Sequence, residues 1–128
     1  MDESKLFVVA IDFGTTFSGF AFSTKDQPTE IHKCDWKRND LTSEKTPTSV
    51  LLDQDKTFVA FGFDAETKYL TNILPNEKTG NFYYFRRFKM MLFKERIDIN
   101  ATLKEANGKE MKALDVFTIA IDYLRQQA

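Results

Sequence analysis

Only one cysteine, Cys34, occurs in the 128 residues, so the chain has no internal disulfide and no cysteine cluster for zinc. A dominant charge sign is also missing. Eighteen basic side chains face 19 acidic ones, the net charge is −1, and no global field points to nucleic acid or a membrane. Long apolar runs are missing as well, none approaching the roughly 20 residues that span a bilayer. The opening Met1-Asp-Glu-Ser-Lys5 is acidic and polar where a secretory leader is basic and then apolar. Asn100-Ala-Thr102 then reads as a chance glycosylation match. These absences lead us to expect a soluble, reduced, cytoplasmic protein with neither nucleic acid nor membrane as partner. Apolar matter, by contrast, is plentiful: 42% of the residues are hydrophobic and 13 are Phe. That is far from a disordered composition and enough for one domain with a modest core.

With only three prolines and five glycines, the turns are easy to place. Residues 6–11 form a continuous apolar run and read as a buried strand. A Gly/Thr/Ser turn follows, and an extended pattern resumes at Phe20-Ala-Phe22. Pro28 marks a turn, 30–36 alternate as a third strand, and 35–44 read as an exposed loop. Thr46-Pro-Thr-Ser49 leads into a strand at 50–52, and 57–61 form another that closes at Gly62. Residues 64–70 suit a helix with an acidic first turn. Over 82–95 the spacing predicts a helix, with Phe85, Phe88 and Leu92 on one stripe and Arg86, Arg87 and Lys94 opposite. Asn107-Gly108 is the strongest hairpin signal, joining 97–105 to 109–112. From 113 to 127 there is no Pro or Gly, and apolar residues at 113, 117, 120, 121 and 124 predict a helix packed on a sheet. No repeat or low-complexity stretch is present. The expected class is mixed α/β, with antiparallel hairpins and packing helices.

Asp12-Phe-Gly14 matches the magnesium-binding tripeptide of protein kinases, but its context excludes that reading. Only eleven residues precede it, and neither His-Arg-Asp nor a Gly-x-x-x-x-Gly-Lys loop occurs. What remains is a strand ending in Asp12, the turn Gly14-Thr-Thr-Phe-Ser-Gly19 and a second strand. Glycine at 14 gives backbone freedom for peptide N–H groups to turn toward an anion, and Thr15 and Thr16 add hydroxyl donors. A carboxylate at the strand end places Asp12 where a hydrated Mg²⁺ can sit. The turn alone fits an ordinary Gly/Ser hairpin equally well.

The stretch 11–19 resembles the first phosphate loop of the actin, sugar-kinase and 70-kDa heat-shock superfamily. Two later segments favour the heat-shock proteins. Glu44-Lys-Thr-Pro-Thr-Ser-Val-Leu51 is similar to their Arg-Thr-Thr-Pro-Ser-x-Val, and Phe61-Gly62 with Asp64-Ala65 to their Ile-Gly-Asp-x-Ala. Phe85-Arg-Arg-Phe-Lys-Met-Met-Leu92 falls where they have a Lys followed by Arg-Leu-Ile-Gly-Arg. The Asp-Phe-Gly-Thr-Thr form, the Phe-Lys-Met segment and Ala106-Asn-Gly-Lys109 most resemble the divergent branch holding heat shock 70 kDa proteins 12A and 12B.

This resemblance implies a partial actin-like ATPase (ribonuclease H-like) lobe, with ATP and Mg²⁺ as cofactors. Asp12 faces Mg²⁺ through water, while Gly14, Thr15 and Thr16 contact the β- and γ-phosphates. Lys89 approaches the γ-phosphate and the attacking water as the catalytic cation, suiting the charge that builds on phosphoryl oxygens. Residues 1–128 would be the amino-terminal part of the first lobe, with the second phosphate loop, the water-activating carboxylates and the adenosine segment outside them. ATP turnover by this chain alone is therefore not expected. The alternative is a non-catalytic interaction module or truncated product that keeps the fold, with protein partners or clients. An exposed terminal helix would also permit self-association. The aromatic and basic run 82–89 suits a nucleic-acid or membrane surface less well than a core, and His32 with Cys34 are too few ligands for a metal site.

Overall fold

The computed structural model describes residues 7–38, 41–93 and 98–127. β1 (Phe7–Phe13) and β2 (Phe17–Thr24) form an antiparallel hairpin in unbroken register from Phe7 opposite Thr24 to Phe13 opposite Ser18. β3 (His32–Lys33) adds to the far edge of β2. β4 (Trp36–Arg38) and β5 (Leu41–Ser43) pair with each other as a separate ribbon. The chain then returns as β6 (Thr46–Pro47), which sets Pro47 opposite Phe17 and Thr46 opposite Ser18, at the loop end of β2.

A second sheet has β7 (Ser49–Asp53) between β8 (Phe58–Phe61) and β9 (Phe82–Arg86), all antiparallel. Between β8 and β9 lie α1 (Phe63–Lys68), a π-helical turn at Tyr69–Ile73 and a 3-10 turn at Thr79–Asn81. A 3-10 turn at Phe88–Phe93 follows β9. The hairpin of β10 (Thr102–Lys104) and β11 (Glu110–Lys112) then leads into α2 (Ala113–Gln127).

Side chains alternate across a strand, so β7 supplies two cores. Val50 and Leu52 join Phe85, Phe88, Val116 and Leu124 on one face, while Leu51 joins Ala65, Tyr69, Ile73 and Tyr84 on the other. Glu105 is buried between them and accepts from the Tyr84 N–H at 3.2 Å, and from the Asn107 and Lys109 N–H groups of the Asn-Gly turn. The hairpin forms at Asn107-Gly108, but only Gly108 takes a positive φ (92°) and Asn107 does not, so the turn is not the type I′ expected from the sequence.

The mixed α/β class expected from the sequence is the one observed, and α2 keeps its expected bounds. Its buried stripe is Ala113, Val116, Ala120 and Leu124, whereas Ile121 is exposed. Five expectations are corrected. Residues 82–95 are not one helix. The aromatic run 82–85 pairs with β7 along its length, sending Tyr84 and Phe85 to opposite cores, and Arg87 at φ 49° breaks the strand before the 3-10 turn. Residues 94–95 lie outside the described residues. The single strand at 30–36 is two short pieces, and the loop expected at 35–44 contains the β4/β5 ribbon. The strand expected at 97–105 shrinks to three residues, Ile97 lying outside the described ones. The apolar run of β1 is not buried: Val8 is 70% exposed and Ile11 36%, because β1 ends the sheet order. Leu6 lies outside the described residues.

Candidate functional site

The loop between β1 and β2 is closed by the Gly14 N–H donating to the Phe17 carbonyl at 3.1 Å. Gly14 has no positive φ, unlike Gly62 and Gly108, and its own N–H is spent inside the turn. Its freedom to aim N–H groups, expected from the sequence, is thus not what glycine provides here. A Cβ at position 14 would lie 2.3 Å from the Phe17 oxygen, so the close backbone approach is what requires glycine. Thr15 and Thr16 are half-buried, and neither gives its peptide N–H or its hydroxyl to any described residue.

The loop's carbonyls, in contrast, are tied back by one buried residue. The Thr48 hydroxyl donates to the Gly14 carbonyl at 2.8 Å, and the Thr48 N–H to the Thr16 carbonyl at 2.8 Å. Since that hydroxyl has one proton, Ser18 is the donor in its 2.6 Å bond with Thr48. The Gly14 and Thr16 carbonyls are satisfied while the Thr15 and Thr16 N–H groups are left over, and left-over donors are what an anion needs. Thr48 is held in place because β6 pairs with β2 immediately before it.

Lys89 comes to the same loop from 76 residues downstream. Phe13 rests on Phe88 at 5.8 Å and on Phe117 at 5.7 Å between ring centroids, and those two rings lie 5.2 Å apart. Phe88 is buried, so the residue after it emerges beside Phe13. The Lys89 amine donates to the Phe13 carbonyl at 2.5 Å and lies 5.8 Å from the Phe13 ring centroid. It leaves a 3-10 turn and not the helix expected from the sequence.

Asp12, next to Phe13, has a 59% exposed carboxylate, and the Lys45 amine sits 2.5 Å from its Oδ2. Among the described residues, no three His, Cys, Asp or Glu side chains converge on one point. A cation at Asp12 would therefore keep most of its water, as Mg²⁺ does when one or two carboxylates and a phosphate hold it. The amine already on Asp12 shows that this carboxylate accepts a cation. The residues fit the hydrated Mg²⁺ that the resemblance implies. Beside Thr16 opens a cavity of about 170 Å³, lined also by Phe17, Ser49, Arg86 and Arg87.

All five residues predicted from the sequence, Asp12, Gly14, Thr15, Thr16 and Lys89, thus fall at one end of the hairpin. Sequence reasoning missed Thr48, although the hydroxyl-rich run before Val50 signals a buried polar segment. It also missed Lys45, for which no signal stood out. His32 stacks on Phe22 at 5.0 Å, and burial followed by the Asp35 carboxylate pushes the Cys34 thiol up.

The segments that build this loop and its supports recur in known proteins. Heat shock 70 kDa protein 12A of human and of mouse is 39% identical to this chain over 130 aligned positions, 98% of the chain. Heat shock 70 kDa protein 12B of human is 39% identical over 125 positions, 94% of the chain. Over nearly its whole length the chain is similar to the 12A/12B branch of the 70-kDa heat-shock proteins. It spans about one fifth of these relatives' length, 19% and 18% respectively. No protein-family model matches the chain, and no solved structure matches it significantly. The branch expected from the Asp-Phe-Gly-Thr-Thr and Phe-Lys-Met segments is the one these relatives represent.

Proposed function

We propose that residues 1–128 are the part of a heat-shock-type, actin-like ATPase lobe that holds the first phosphate loop and binds ATP with Mg²⁺. Asp12 would hold the hydrated metal, and Thr15 and Thr16 would donate to the β- and γ-phosphates. Gly14 keeps the turn tight enough to present them. Lys89 would move from the Phe13 carbonyl to the γ-phosphate, where a cation offsets charge gathering on phosphoryl oxygens. Arg86 and Arg87 outnumber Glu66 among the charged residues lining the cavity beside Thr16, which leaves it a net positive potential. The observation that supports this most is the seat of Lys89: a cation from a distant segment sits on the loop that keeps the Thr15 and Thr16 N–H groups unspent. Hydrolysis belongs to the whole two-lobed ATPase, and the proposed role of these residues within it is to hold ATP and Mg²⁺, in the cytoplasm. No helix among the described residues is long and apolar enough to cross a membrane.

A ¹⁵N spectrum titrated with Mg-ATP tests the reading. Amide shifts confined to 14–17 and to the neighbourhood of Lys89 are expected; no shifts in the folded chain, or shifts elsewhere only, would contradict it.

One observation favours a second reading, the non-catalytic interaction module. Val8 and Ile11 on β1, and Leu114 (56%) and Ile121 (43%) on α2, are apolar and exposed. Partners or a second copy would bind there. Sedimentation velocity across a hundredfold concentration range tests self-association, expected to appear at the high end; an unchanged monomer throughout would contradict it.

A further inference from the structure

We propose that Lys45 is a built-in counter-cation of Asp12 that competes with divalent metal for its carboxylate. Asp12 stands opposite Gly19 in the β1/β2 register. A Cβ at position 19 would come within 2.9 Å of the Glu44 carbonyl oxygen and 3.4 Å of the Lys45 Cγ. The bare glycine therefore lets the backbone at 44–45 lie against β2, and the Lys45 stem crosses over Gly19 to set its amine 2.5 Å from the Asp12 Oδ2. Next to it Lys33 pairs with Glu44 at 3.1 Å, so Glu44 is engaged by another cation and Lys45 is left to Asp12. These groups line a cavity of about 210 Å³, floored by Ala10, Gly19 and Ala21.

An ammonium that close neutralises the carboxylate, and a divalent ion approaching the same oxygens is repelled by it. Yet both partners are more than half exposed, at 54% and 59%, so the pair is weak and opens readily. Lys45 would thus lower the affinity for metal without closing the site. This rests on the reading of Asp12 as the metal-facing carboxylate, but the test needs no nucleotide.

Mn²⁺ alone is titrated into the ¹⁵N-labelled chain, and paramagnetic broadening is followed at the amides of residues 12–14. Wild type is compared with Lys45→Met, which keeps the stem, and with Lys68→Met, the same charge change placed on α1. Lys45→Met should reach half-broadening at roughly two- to fivefold lower Mn²⁺, with the gap shrinking as salt is raised. Lys68→Met should follow wild type. The proposal falls if Lys45→Met needs as much Mn²⁺ as wild type or more, if no form broadens there, or if Lys68→Met shifts equally. Should the Mn²⁺ difference hold while no form binds Mg-ATP, the ATP reading fails and the competition stands.

Discussion

The Thr48 hydroxyl donates to Gly14 and accepts from Ser18, with Thr48 and Ser18 fully buried. Thr48→Val keeps the shape but strands both partners, which should cost about 1–3 kcal/mol. Urea unfolding followed by fluorescence of the lone Trp36 measures it, and a loss below the error of the method would remove Thr48 as the loop's anchor. Gly62 is more demanding. It sits at φ 67°, and a Cβ there would come 2.0 Å from the Thr46 Oγ1, which itself accepts from the Phe63 N–H at 2.9 Å. Gly62→Ala should destabilise the chain by about 2 kcal/mol or more in the same assay. At this scale the sequence was informative where neighbours are local: Asp12, Thr15 and Thr16 fall at one turn, closed by the β1/β2 pairing. It was silent on Lys45, because a lysine in a polar stretch looks solvated until the fold lays it across Gly19.

Between elements, Phe88 does most to bring β1 and the turn after β9 together, packing Phe13 on one side and Phe117 of α2 on another. Phe88→Ala should cost about 3–5 kcal/mol and loosen the seat of Lys89. Thermal unfolding checks the first effect, and loss of the Phe13–Lys89 proximity in a nuclear Overhauser spectrum the second. The terminal helix and the Asn-Gly hairpin were legible because each rests on local pattern: an uninterrupted apolar period and a turn needing positive φ. The segment 82–95 misled because Phe85 and Phe88, three apart, match a helical stripe as well as a strand followed by a tight turn. Pairing with β7 decides between them, and pairing is not a local property. The burial expected of β1 failed for the same reason, since whether an apolar strand is covered depends on what lies beside it.

Taken whole, the molecule has a core on each face of β7, each with a tyrosine whose phenol burial pushes its pKa above the ordinary 10.0. Tyr84 is further raised by Glu66, and Tyr123 by Asp64. The folded chain therefore keeps these protons where the unfolded chain has begun to lose them. Their contribution to stability is intact below pH 10 and is lost as pH rises through the folded values. Unfolding midpoints should fall above pH 10, and Tyr123→Phe should flatten that fall; an identical profile in the variant would contradict it.

The central claim, that the loop after β1 holds a metal-bound phosphate chain, is tested most directly by calorimetric titration of ATP with and without Mg²⁺. The chain would be compared with Asp12→Asn, whose exposed side chain can change without disturbing the fold. Binding that requires Mg²⁺ in wild type and is lost in the variant, with equal unfolding midpoints, is the predicted result. Equal binding by both, or none in well-folded samples of either, would contradict it.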